Sequence, residues 1–245
     1  MEQSRKKFLK HFLIGATTVP LIMEACKKDS VTSTSTTTTT TGSNSGSCTT
    51  TPTETSGPFP TITPSSLVRS DIRLDRTGVA FTINITIQNK NNSCASLSGA
   101  IVDIWHCDKD GYYSEYGGTG MQTVDYTAVH FLRGRQTTNS SGLVSFTSIF
   151  PGWYSGRATH VHVHIYNTAG TSLLITQIAF PEGTSSAVAT VNASTANGYT
   201  KGMNGYTYNA ADSIFSDDTT GAETGTVTGS VAAGYILAQT INVSA

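Results

Sequence analysis

The chain has 245 residues, is 37% hydrophobic and only 13% charged, and carries a formal net charge of −1. No basic block follows the first ten residues, which argues against a nucleic-acid partner, since that needs a cationic face. No apolar run reaches the ~18 residues of a membrane-spanning helix. The hydrophobic share is low for a wholly globular chain, so part of it lies outside any core.

Taken in chain order, residues 1–26 read as a targeting segment. "SRKKFLKH" is basic, "FLIGATTVPLIM" is a short apolar stretch, and "EAC" follows. A Cys in that place resembles a bacterial lipobox, implying processing before Cys26 and a lipid on its sulfur. Glu24 departs from the usual lipobox. "SRKKFLK" also resembles a twin-arginine export signal, with Lys6 where the second Arg would stand. Residues 27–57 are dominated by Ser and Thr, a composition that buries too little apolar area to offset chain entropy; they read as a disordered tether. The expectation is an exported domain at the cell envelope, held by a lipid anchor. With Cys26 lipidated, Cys48, Cys94 and Cys107 remain. Cys94 and Cys107 flank an extended run and should not pair. Cys48 can reach either, and its partner stays open.

From residue 58 to 245 the chain reads as one all-β domain, an antiparallel sandwich. "AFTINITIQ" alternates, with Phe81, Ile83, Ile85 and Ile87 on one face. "GAIVDIWHC", "GLVSFTSIF", "ATHVHVHIY" and "SLLITQIAF" are further strands, separated by Gly, Pro and Asn turns. No segment shows convincing helical periodicity with caps. The last 60 residues, rich in Gly, Ser and Thr, read only weakly.

The titratable groups are concentrated in "GWYSGRATHVHVHIY", Gly152 to Tyr166. On a strand, His160, His162 and His164 share one face while Val161, Val163 and Ile165 face the core. Two imidazoles at i and i+2 can converge on one ion, whereas a third is displaced along the strand. The plain alternative is three half-exposed histidines. Tyr154 lies six residues before His160. A phenol beside two imidazoles is unusual for zinc, but phenolate is a hard anionic donor suited to iron(III).

These residues carry a family resemblance. "TPTETSGPF", "LSGAIVDIWHCDKDGYYS", "FLRGRQTTNSSGLVSFTSIFPGWYSGRATHVHVHIY" and "LLITQIAFPE" resemble, in order, the intradiol ring-cleavage dioxygenases related to protocatechuate 3,4-dioxygenase and catechol 1,2-dioxygenase. The resemblance implies iron(III) ligands at Tyr113, Tyr154, His160 and His162, with Tyr112 the register alternative to Tyr113 and His164 outside the set. It implies an active-site cation at Arg157, a polar partner at Gln177, a second role for Tyr154 as a base, and a substrate pocket touching Trp153, Thr55 and Pro58. It implies cleavage of a catechol-type ring by O2 between the hydroxyl-bearing carbons, giving a cis,cis-muconate-type diacid.

Arg157 has no carboxylate near it in sequence, and Gln177, on an otherwise apolar strand face, needs a partner. His106 and His130 read as structural, and Asp108 and Asp110 as turn formers. A surface-anchored β-sandwich binding module would equally suit the tether, but it leaves the Tyr, His, Arg and Gln set unexplained. A zinc hydrolase would need a carboxylate or Cys ligand that is not evident. Substrate identity and oligomeric state are left open.

Overall fold

The computed structural model describes residues 48–245, Thr119 excepted. The targeting segment with Cys26, and the tether as far as residue 47, lie outside the described residues.

Two sheets form the body. One joins β1 (Ala80–Asn89), β2 (Ala95–Ser96), β5 (Leu143–Ile149), β8 (Thr226–Ser230) and β9 (Gly234–Val243). The other has the order β4 (Arg133–Thr137), β3 (Ile101–Trp105), β6 (His160–Tyr166), β7 (Ser172–Ala179). Alternation decides which side chains go inward. Phe81, Ile83, Ile85 and Ile87 of β1 are all buried, as are Val161, Val163 and Ile165 of β6, and both sets belong to one apolar core. The β-branched residues favour the extended backbone and pack between the sheets.

The sandwich is not purely antiparallel. β1 runs antiparallel to β5 and parallel to β9, so the C-terminal strand, weakly patterned in sequence, closes the first sheet. The chain between β7 and β8 crosses from the second sheet back to the first. That crossover holds α1 (Ala187–Asn192), capped by the Ser186 hydroxyl, which accepts from the Ala189 amide. No helical periodicity was legible there because six residues make too short a helix to show one.

Residues 48–57, assigned to the tether from their composition, are instead held on the fold. A disulfide joins Cys48 to Cys94, leaving Cys107 a buried free thiol. Thr51 exchanges hydrogen bonds with Asn242, and the Glu54 amide donates to the Ile175 carbonyl. Composition misled here because backbone pairing and one covalent link hold a polar segment that could not bury itself. Among the described residues no helix is long and apolar enough to cross a membrane.

Candidate metal centre

Three segments bring four ring side chains together. β6 contributes His160 and His162 on the face opposite its core valines. The loop leading into β6 carries Tyr154, and the loop after β3 carries Tyr113. These two loops touch backbone to backbone. Gly111 adopts φ +92°, and any side chain there would collide with the Trp153 carbonyl. Gly111 thus lets the Tyr113 loop lie directly against the one that carries Tyr154.

The donor atoms converge. The Tyr113 hydroxyl is 3.2 Å from His160 Nε2, and His160 Nε2 is 3.1 Å from His162 Nε2. The Tyr154 ring stands edge-on to Tyr113 and to His160, with centroids 5.8 Å away in each case. Tyr113, His160 and His162 are buried and Tyr154 is half-buried. Phe59 stacks on Tyr113, and Trp105 lies flat against His162 at 4.9 Å. These two rings fix the orientation of the ligand candidates by packing.

The donor set fits a highly charged cation. The Ala158 carbonyl can only accept, so His160 Nδ1 donates to it (2.6 Å) and the lone pair sits on Nε2, aimed at His162. His162 Nδ1 is buried without a partner. Burial pushes His160 down to about 3, with the Arg157 guanidinium adding to the effect, and drives His162 well below the ordinary range. Both rings are therefore neutral, as ligands must be. Burial drives the Tyr113 phenol well up and raises Tyr154, whereas the adjacent Arg157 pulls Tyr154 back. Phenols raised in this way ionise only beside a strong positive charge, and two phenolates would offset most of a 3+ ion. Among the described residues no group of three or more His, Cys, Asp or Glu gathers to hold a metal. The donor chemistry here is imidazole plus phenol.

Arg157 sits at the rim of this cluster, and its surroundings differ from those its sequence neighbours suggest. Asp212, 55 residues on and fully buried, accepts from Arg157 Nε at 2.9 Å. Arg157 Nη2 donates to Gln177 Oε1 at 2.7 Å, and Gln177 Nε2 donates to the Thr55 carbonyl at 2.9 Å. Gln177 lies directly across from His162 in the β6–β7 register. The polar partner that a buried Gln needs is thus Arg157 itself.

Trp153 packs into the main core, its Nε1 donating to the Gly202 carbonyl and its ring edge-on to Tyr206. Thr55 and Pro58 have exposed side chains, and Thr55 meets the site through its carbonyl. At Gly57 that segment lies against His162: an added Cβ would be 2.8 Å from His162 Cε1. Tyr112 faces Tyr126, away from the cluster. His164 is bonded to Ser172 and Tyr166. His106 is buried between the Cys107 carbonyl and Ser148, and His130 pairs with Glu115. Asp108 accepts from the Asp110 and Tyr112 amides and shapes the Tyr113 turn. Phe59, Trp105 and Asp212 escaped the sequence reading; none stands at a spacing that marks a partner.

Residues 61–203 match the Dioxygenase family. The chain is similar to the intradiol ring-cleavage dioxygenase from Tetranychus urticae at 27% identity and a TM-score of 0.69, covering 80% of this chain and 95% of that one. It shares its fold with the dioxygenase domain of a carbohydrate-binding fusion from Streptomyces sp. SirexAA-E (24% identity, TM-score 0.55, 80% and 99% covered). It likewise shares its fold with catechol 1,2-dioxygenase from Pseudomonas arvilla C-1 (21%, 0.52, 80% and 62% covered). No curated protein matches the chain. With more than half of its length matched to that family, the chain belongs to the intradiol ring-cleavage dioxygenases and is a ring-cleaving enzyme of that kind.

Proposed function

We propose that this enzyme uses non-haem iron(III) to cleave a catechol-type ring between its two hydroxyl-bearing carbons, incorporating both atoms of O2 into a cis,cis-muconate-type diacid. The observation that carries the reading is the convergence of Tyr113, His160 and His162, with Tyr154 beside them and the Arg157–Gln177 pair at the rim. Tyr113, Tyr154, His160 and His162 would hold the metal. When bound, iron(III) supplies Lewis-acid binding of both catechol oxygens and makes the ring reactive towards O2.

The chain's own groups account for the rest. Tyr154 is the less buried phenol and stands beside Arg157, which favours its ionised form; as the phenolate, its Oη would take a catechol proton and return to the neutral phenol. The Arg157 guanidinium stabilises negative charge that develops on the ring and its oxygen during attack, an electrostatic contribution that is commonly the largest one. Gln177, tied to both Arg157 and the Thr55 carbonyl, holds the wall against which the ring lies. Phe59 and Trp105 exclude water behind the ligands.

The reading extends to location. The lead segment with Cys26 would export the protein and anchor it by lipid at the cell envelope. The Cys48–Cys94 disulfide supports an oxidising compartment.

Purified protein reconstituted with iron(III) should bind about one iron per chain, absorb broadly in the visible through phenolate charge transfer, and take up oxygen with at least one member of a catechol panel. Arg157→Ala should keep iron and colour but lose roughly 10²–10³ in rate. Tyr113→Phe should change the colour itself. Colourless protein after reconstitution would refute the metal assignment.

A further inference from the structure

We infer that Asp212 is the positioning residue for Arg157, and that the segment Tyr206–Phe215, beyond the residues matched to the family, is a strap that completes the active site. The inference rests on the functional reading above, because it gives Arg157 its setting.

Asp212 is fully buried, and a carboxylate there must be satisfied on both oxygens. Three N–H donors converge on it. Arg157 Nε is shared between Oδ1 and Oδ2 at 3.1 and 2.9 Å. The Ala158 amide reaches Oδ2 at 2.6 Å and the Ile214 amide reaches Oδ1 at 2.8 Å. The carboxylate therefore binds the guanidinium and the backbone of the next residue together. It holds the Arg157 side chain and the turn leading to His160 in one register. It does so from the Nε edge, which leaves Nη2 to engage Gln177 and the rest of the fork beside Tyr154.

The strap is seated at both ends. The Tyr206 hydroxyl accepts from the Thr159 amide at 3.0 Å and donates to Glu182 at 2.8 Å. Phe215 is buried, its ring 5.6 Å from the Arg157 guanidinium carbon and 6.3 Å from the His160 ring. The strap thus contacts Thr159, Ala158, Arg157 and His160 in succession, alongside the lead-in to the ligand strand. Because the ion pair is buried, Arg157 is preorganised before a substrate arrives, which is the condition for an electrostatic contribution to the transition state.

Asn is nearly the same size but cannot substitute chemically. Its NH2 faces N–H donors on at least one side, so at least one of the three loses its acceptor. Asp212→Asn should therefore bind iron and show the visible band of the wild type, while kcat for catechol falls about 10²-fold with KM changed far less. Arg157→Ala should fall comparably, and the double variant Arg157→Ala with Asp212→Asn should be no slower than Arg157→Ala alone, since residues acting as a unit do not add. Iron content and the melting curve of the metal-free protein are read in parallel. An Asp212→Asn protein with wild-type kcat overturns the inference. So does a double variant slowed by the product of the two single losses, or a variant that unfolds or loses iron without a kcat loss beyond its folded fraction. Wild-type protein that binds iron yet turns over no catechol sinks the functional reading and the positioning role with it.

Discussion

At the scale of single residues, period-2 geometry separates the three histidines of β6. His160 and His162 lie within 3.1 Å of each other at Nε2, whereas His164 is engaged with Ser172 and Tyr166. His160→Ala or His162→Ala should abolish stoichiometric iron binding, and His164→Ala should leave it intact, as read by metal analysis and the visible spectrum. Equal loss in all three would overturn the assignment. His106 makes a different prediction. Burial pushes it down to about 4, so it stays neutral in the fold but takes a proton once unfolded, near pH 6.5. The unfolded state then binds more protons between those values. Its contribution to stability is complete above about pH 6.5 and declines as pH falls towards about 4. Denaturant melts of His106→Gln across that window should show a shallower decline than wild type, by an amount on the order of 3 kcal/mol. Parallel curves for the two proteins would show that His106 titrates normally.

At the scale of elements, the site depends on loops that strands hold at close range. The Thr55–Phe59 stretch is one: it gives a carbonyl to Gln177, a ring to Tyr113, and at Gly57 a backbone with φ +70° pressed against His162. The left-handed conformation costs a non-Gly residue about 1–2 kcal/mol, and a methyl group here would also push the His162 ring. Gly57→Ala should fold with a lower melting temperature and a weakened hold on iron, measured by competition with a chelator. Unchanged iron affinity would show that this segment does not set the ligand's position.

At the scale of the whole molecule, the folded unit is closed by residues far apart in sequence. β9 lies parallel to β1, and the disulfide from Cys48 reaches across 46 residues to Cys94, bringing the start of the folded domain onto the sandwich. Both contacts lie within residues 48–245. Cys26→Ala should move the protein from the membrane fraction to the soluble fraction without altering its visible spectrum. Persistent membrane attachment in that variant would refute the lipid anchor.

What the sequence determined by itself is what local chemistry dictates. Alternation in "AFTINITIQ" and "THVHVHIY" assigned strands, faces and the all-β class, because side-chain direction along a strand depends only on position. The ordered blocks around "DGYYS", "PGWY" and "THVHV" pointed to the family and to the four rings that the fold brings together. What only the tertiary structure decided is pairing across long separations. Cys94 rather than Cys107 as the partner of Cys48, β9 as the parallel neighbour of β1, residues 48–57 as part of the fold, and Asp212 as the counter-ion of Arg157 all depend on contacts between distant residues. No periodicity records such contacts, because a buried charge selects its partner by distance in space, and the sequence between the two is free to be anything that lets the chain return.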